Sequence, residues 1–115
     1  MDKAELVSGF LTELRRGTLI LSVLAMLRHA AYGYQMITLL STAGLSVEAN
    51  TLYPLLRRLE GQGLLKSEWD TAGAKPRKYY RTTELGLEVL AELARHWQGT
   101  VQSLQTLLGG DLDGK

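Results

Sequence analysis

At 115 residues, with 45% hydrophobic content and a formal net charge of +1, the chain is expected to form one domain around one modest core. The absence of cysteine excludes disulfides and thiolate metal sites. No apolar run approaches the roughly 18–20 residues that a membrane-spanning helix needs, and the opening Met-Asp-Lys-Ala-Glu-Leu lacks the basic and apolar segments of a secretory leader, so a cytoplasmic location is expected.

Residues 2–14 read as a helical arm, with Leu6, Phe10 and Leu14 at spacings of four on one side. Gly17 weakens its end, and Thr18 is expected to cap a separate helix in which Ile20, Val23, Leu24 and Leu27 keep the 3.6-residue period until it fades near Ala30. A second helix runs from Gly33 to near Ala43, with Met36, Ile37, Leu39 and Leu40 apolar and Gly44 as its stop. The third begins between Ser46 and Thr51 and ends at Gly61 or Gly63. Pro54 lacks a backbone N–H and fits best within its first turn. Its Leu52, Leu55, Leu56 and Leu59 are assigned to the core.

Leu64–Trp69 and Lys78–Thr82 alternate as two short antiparallel strands, and the run from Asp70 to Pro76 supplies the turn between them. Tyr79 and Tyr80 then face opposite sides, one inward and one outward. Thr83 caps a last helix of about 25 residues that carries Glu84 in its first turn and stops at Gly109-Gly110. Three helices, a two-stranded ribbon and a long final helix make a mainly α fold with a small β wing. This is a winged helix-turn-helix with an N-terminal helical arm. Its expected organisation is a DNA-binding unit over 1–83, a dimerisation helix over 84–108 that belongs to the same compact body, and a flexible tail over 109–115.

The small net charge hides a division along the chain. Residues 1–56 balance, residues 57–81 hold seven cations against three anions, close to +4, and residues 82–115 hold two cations against five anions, close to −3. The basic stretch coincides with the third helix and the ribbon, where a duplex-reading module needs its cations. At the start of the third helix Asn50, Thr51 and Tyr53 are the candidates for base edges, Asn being able to pair with adenine. Arg57 and Arg58 follow as phosphate clamps, and Lys75, Arg77 and Lys78 at the ribbon tip are placed to touch flanking phosphates or the minor groove. Tyr34 is read either as a phosphate donor or as an amphipathic core tyrosine.

On the last helix Leu90, Leu93, Trp97, Val101, Leu104 and Leu108 recur at three and four. A helix of about 25 residues is roughly 37 Å long, longer than a core of three helices and a hairpin, so its distal stripe needs cover. A second copy of the chain is the expected cover, forming a two-fold homodimer. Folding back onto the chain's own core is the alternative.

The residues resemble the PadR family of bacterial transcriptional regulators. The resemblance is carried by Arg15-Arg-Gly-Thr-Leu19, Tyr32-Gly-Tyr34, Thr51-Leu-Tyr-Pro54, Arg57-Arg-Leu-Glu60, Gly63-Leu-Leu65, Ser67-Glu-Trp69 and Arg77-Lys-Tyr-Tyr-Arg81, in register over roughly residues 15–86. The single final helix looks like the compact branch of that family. The resemblance implies a dimeric winged-helix repressor that binds double-stranded operator DNA and is often released by a small ligand. Trp97 resembles an aromatic used by multidrug-sensing members, which suggests a wall for a planar apolar effector at the dimer interface; a tryptophan that only fills that interface is the other reading. Two reading helices would then engage half-sites about one helical turn apart in a roughly palindromic operator.

No enzyme is expected, because two distant histidines and scattered acids give no nucleophile–base pair and no paired carboxylates. Glu84, Glu88 and Glu92 form a solvated stripe. Neither His29 nor His96 has partners at metal-ligand spacing, so no metal or other cofactor is expected. The competing function is a winged-helix module whose basic face meets an acidic protein.

Overall fold

In a computed structural model that describes residues 1–109, the chain starts with one continuous helix, α1 (Lys3–Met26). Its N-terminus is closed by a capping box. Asp2 Oδ1 accepts from the Glu5 N–H at 2.9 Å, and Glu5 Oε1 accepts from the Asp2 N–H at 3.2 Å. This corrects the expected break at Gly17 and the expected cap at Thr18. A single helical glycine costs only about 1 kcal/mol against alanine, and adding a residue to an existing helix is far easier than nucleating a new one. The Thr18 hydroxyl instead donates back to the Arg15 carbonyl at 3.2 Å, within the helix. Only the second half of α1 is buried, where Val23 and Leu24 are fully enclosed, as is Leu27 just past its end.

A two-residue strand, β1 (Ala31–Tyr32), leads into α2 (Gly33–Thr42), and a tight turn leads on to α3 (Ala49–Gly61). The turn is built by Gly44 at φ +91°, which lets the Leu45 N–H reach back to the Leu40 carbonyl at 2.7 Å. The same device ends α3, where Gly63 sits at φ +81° and the Leu64 N–H bonds the Leu59 carbonyl at 2.9 Å. Gly44 and Gly63 thus fix the turn within the helix pair and the chain's exit from it. Pro54 is the sixth residue of α3, beyond the first turn expected for it, so the helix gives up the N–H that would have bonded the Asn50 carbonyl. It survives because Leu52, Leu56 and Leu59 form a fully buried stripe on its inner face; Leu55 is half-buried beside them.

The wing consists of β2 (Leu65–Asp70) and β3 (Arg77–Thr82), and β1 completes a three-stranded antiparallel sheet in the order β1-β3-β2. The third strand was not legible in the sequence. Ala31 pairs with Tyr80 and Tyr32 with Tyr79, which ties the start of α2 to the wing. Tyr80 points into the core and Tyr79 packs on the opposite face, as their alternation implied.

The last helix, α4 (Glu84–Leu108), begins where the alternating pattern stops. Thr83 caps it, its hydroxyl oxygen accepting from the Gly86 N–H at 3.0 Å while donating to the Gly63 carbonyl at 2.7 Å. Thr82 is the one buried polar side chain among the described residues. Its hydroxyl and its N–H donate to the Leu24 and Leu27 carbonyls, each at 2.8 Å, and so satisfy the end of α1. Val89 and Leu90 pack against the core, and α4 also runs against α1. The molecule is consequently elongated, 62 × 34 × 23 Å. Of the tail expected over 109–115, all but Gly109 lies outside the described residues.

Gly86 allows the crossing of α4 over the wing base, since a Cβ there would stand 2.2 Å from the Leu64 carbonyl oxygen and 2.5 Å from the Thr82 methyl. Gly86→Ala is therefore expected to lose about 2–3 kcal/mol of stability, the scale of forced overpacking against backbone. Denaturant unfolding at fixed protein concentration checks this; an unchanged midpoint would contradict the close approach.

Candidate nucleic-acid interface

The outer face of α3 is set by what its inner face buries. With Leu52, Leu56 and Leu59 turned inward, the helical period turns Asn50, Thr51, Tyr53, Arg57 and Arg58 outward, and all five are exposed. Asn50, Tyr53 and Arg57 fall on one stripe at spacings of three and four; Thr51 and Arg58 fall on the neighbouring one.

Between that stripe and the wing lies an open groove of about 420 Å³. Tyr34, Tyr53, Arg57, Arg77 and Lys78 all line it, so five of the nine residues singled out for DNA from the sequence converge on one surface. The other four do not line it. Asn50 and Arg58 stand exposed on α3, Lys75 is exposed in the wing turn, and Thr51 faces a different cleft, against α1.

Several of these side chains are held in place before any ligand arrives. The Arg77 guanidinium carbon lies 4.5 Å from the centroid of the Tyr32 ring, which itself meets Tyr79 edge-on at 5.3 Å. Stacking restricts the arginine without consuming its hydrogen-bond donors. Lys78 is more committed, because its ammonium lies 3.9 Å from Glu60 Oε1 and over the Tyr80 ring, while the other Glu60 oxygen accepts from the Ser67 hydroxyl. The pair is about one-third exposed on each side and so contributes at most about 1 kcal/mol. Its main effect is to set part of the Lys78 charge against Glu60, leaving Arg57 and Arg77 as the stronger anion-facing groups of the groove.

Tyr53 is fixed by its neighbour. A Cβ built on Gly33 would lie 2.1 Å from the Tyr53 hydroxyl oxygen and 3.0 Å from the ring carbon that bears it, so the tyrosine rests on the bare backbone at the start of α2. Gly33 is thereby the contact point between the two helices of the helix pair. Tyr34 next to it is 78% exposed, which excludes the core role held open for it. The groove also contains a residue that sequence reasoning left without a role, Trp69, which is 64% exposed on β2 opposite Lys78. Its sequence signal was the motif Ser67-Glu-Trp69, whose wing position was visible but whose direction was not.

The α4 residues behave differently. Leu90 is half-buried against the core and Val101 half-buried further along, whereas Leu93, Trp97, Leu104 and Leu108 are exposed. Leu6, Phe10 and Leu14 of α1 are exposed too. Among the described residues there is no cluster of three or more metal-ligating side chains, and no helix is long and apolar enough to cross a membrane.

A helix pair closed by glycine turns, a β wing and a cationic groove between the two define a winged-helix transcriptional regulator. Residues 20–92 match the transcriptional regulator PadR-like family, and the chain belongs to it. Among solved structures it is similar to a PadR family transcriptional regulator from Eggerthella lenta, with 53% identity, a TM-score of 0.86, and coverage of 93% of this chain and 96% of that one. A PadR-like transcriptional regulator from Bacillus cereus is similar at 29% identity and a TM-score of 0.76, over 85% of this chain and 98% of that one. The transcriptional regulator Rv3488 of Mycobacterium tuberculosis is 41% identical over 73 residues, 60% of this chain and 68% of its own length. The family is one of regulators, not enzymes, and DNA binding is what membership implies.

The contact between Gly33 and Tyr53 can be tested by a pair of substitutions. Gly33→Ala is expected to push the exposed Tyr53 ring off the backbone at a cost of about 1 kcal/mol, and Tyr53→Ala in the same chain to remove that cost, because every atom the new methyl meets belongs to Tyr53. Thermal unfolding of the single and double variants reads it, and purely additive effects would contradict the contact.

Proposed function

We propose that this PadR family member is a cytoplasmic homodimeric repressor that reads a roughly palindromic operator in double-stranded DNA and is released when a small effector binds. The observation that carries the reading is the convergence of Tyr34, Tyr53, Arg57, Arg77 and Lys78 on one groove beside the exposed start of α3. In this account Asn50 and Tyr53 present themselves to base edges in the major groove, with Tyr53 braced by Gly33, while Thr51, turned toward α1, is the least favoured of the three candidates. Arg57, Arg58 and Tyr34 contact phosphates of the same half-site. Lys75, Arg77 and Lys78 hold the flanking backbone, and Trp69 lays its ring against deoxyribose between them.

Residues 1–83 form the reading unit and 84–108 the dimerisation helix. The reason to invoke a second copy is the stripe of Leu93, Trp97, Leu104 and Leu108 on α4, exposed together with Phe10 and Leu14 on α1. An isolated protein leaves few such contiguous apolar surfaces. Two copies of Trp97 near the two-fold axis would offer flat walls to a planar apolar compound, with Leu90 and Val101 beneath them. Such a compound releases the operator only to the extent that it binds the non-reading arrangement of the dimer more tightly. With two reading units joined this way, a bound dimer near a promoter occludes polymerase.

Two substitutions separate the wing contact from the base reader. Arg77→Ala is expected to weaken operator and random duplex alike and to reduce the salt slope by about one, whereas Asn50→Ala should cost about 1–3 kcal/mol on the operator and little on random DNA. Titrations of both duplexes at several salt concentrations decide this; equal losses for Asn50→Ala would remove it from base reading. The dimer rests on α4, so Leu104→Glu should convert the protein to a monomer by sedimentation equilibrium. A dimer that persists in the variant would place the interface elsewhere.

A further inference from the structure

Arg15 and Arg16, which open the signature Arg15-Arg-Gly-Thr-Leu19, have no part in the groove beside the wing or in the apolar stripe of α4. They line instead a cleft of about 310 Å³ between the middle of α1 and the turn joining α2 to α3. Ser46, Glu48 and Thr51 line the same cleft, so the two arginines stand beside the end of α3 that is assigned to the major groove. The wing groove lies against Tyr53 and Arg57 on one stripe of that helix, whereas this cleft opens beside Thr51 on the neighbouring stripe. The start of α3 is therefore bordered by cations from two elements, the wing on one side and α1 on the other.

Three features fit these arginines to a polyanion. Both side chains are exposed and, among the described residues, neither is in an ion pair, although Glu48 lines the same cleft. The hydroxyls that α1 brings there, those of Thr12, Thr18 and Ser22, donate to the carbonyls of Ser8, Arg15 and Thr18 at 3.3, 3.2 and 2.8 Å. Their protons are spent, and the guanidiniums remain as the strong donors, in the fork that matches a phosphate. The space beside them is open as well, because apart from the helix itself nothing among the described residues lies within 4 Å of where a Cβ on Gly17 would stand. The major groove is about 12 Å wide, so a helix lying in it has phosphates along both edges within reach of long side chains.

We propose that Arg15 and Arg16 are a second set of backbone clamps, holding two phosphates on the side of α3 opposite to the wing, with Arg58 continuing the line from Thr51 along the helix. Each reading helix is then held from both edges of the groove, which fixes its depth and tilt more firmly than the wing alone would. The two arginines read no base; they are positioning residues. Leu14, next to Arg15, belongs to the exposed apolar face assigned to the dimer, so the clamped phosphates lie toward the operator centre, between the half-sites, and the wings hold the outer ones. The inference rests on the reading of α3 as the DNA-reading helix and adds α1 to the contact surface.

The test titrates the full-length protein against an operator duplex from its upstream region and against random duplex, at several salt concentrations. Arg15→Gln/Arg16→Gln is expected to weaken both duplexes alike, by at least about tenfold, and to lower the salt slope by about two, at about 0.9 per phosphate. Arg15→Lys/Arg16→Lys keeps the charges and should hold the parent's slope while recovering most of the affinity, which a folding defect in the first variant would not allow. Operator duplexes with a single neutral methylphosphonate then locate the contact. One placed between the half-sites should weaken the parent and leave the glutamine variant unaffected, whereas one beneath the wing should weaken both proteins. An unchanged salt slope in the glutamine variant, a loss on the operator alone, or a central methylphosphonate that weakens both proteins equally would overturn the proposal. So would sedimentation of the glutamine variant as a monomer, which would place the arginines in the dimer contact. Failure of the underlying reading looks different: Asn50→Ala and Arg77→Ala would then leave operator affinity unchanged as well, whereas a wrong clamp alone leaves those two losses in place.

Discussion

Everything that positions the groove passes through the pair Thr82-Thr83. Its four backbone and side-chain donors go to four different carbonyls, those of Leu27, Leu24, Leu64 and Gly63, at 2.7 to 3.0 Å. Two of these end α1 and two belong to the turn that leaves α3, so one dipeptide locks the wing to both helices. Each bond contributes about 1 kcal/mol net, and a buried carbonyl left unmet would cost about 1–3 kcal/mol, so the arrangement is enforced more by the penalty for losing it than by the gain of making it. Gly86 completes the joint by letting α4 lie directly on the Leu64 carbonyl. Because α3 and the wing are fixed to the same point, the surface between them is shaped by the fold and does not have to be assembled by DNA.

Within that frame the groove is tuned by local pairings and not by charge count. The stretch 57–81 is close to +4, yet Lys78 is partly answered by Glu60, whereas Arg77 lies over Tyr32 and has no ion-pair partner among the described residues. An arginine restrained by an aromatic face loses less freedom on meeting a phosphate than a solvated lysine does, so within the proposed reading Arg77 is the favoured wing contact. The motif Tyr32-Gly33-Tyr34 acquires a physical meaning in the same way. Tyr32 carries Arg77, Gly33 carries Tyr53, and Tyr34 stands free at the groove edge.

Much of the fold was legible in the sequence because it is local. The helix over 84–108 with its Thr83 cap, the glycine stop at Gly44, the leucine stripe of α3 and the opposite faces of Tyr79 and Tyr80 follow from period and capping chemistry alone. What escaped depends on partners distant in sequence. Thr82 has the same local appearance as Thr83 and differs only in meeting α1, and nothing near Gly33 or Gly86 reveals what approaches them. The strand Ala31–Tyr32 is too short to show alternation and exists because β3 is beside it. At Gly17 and Pro54 a rule about single residues was overridden by helix continuity and by buried leucines. At the candidate site the cations were proposed from the charge pattern, but their division into Arg57, Arg77 and Lys78 in the groove, Arg58 elsewhere on α3 and Lys75 in the wing turn was not legible, since that depends on how α2, α3 and the wing meet.

The central claim is that a dimer of this winged-helix chain reads a particular DNA sequence with the groove and the start of α3. The most direct measurement is a titration of the unmodified protein against its own upstream region and against random duplex at two salt concentrations, with sedimentation under the same conditions. The account predicts a dimer that prefers the upstream region by at least about a hundredfold and loses affinity steeply with salt. A monomer, or a dimer that binds both duplexes alike, would contradict it.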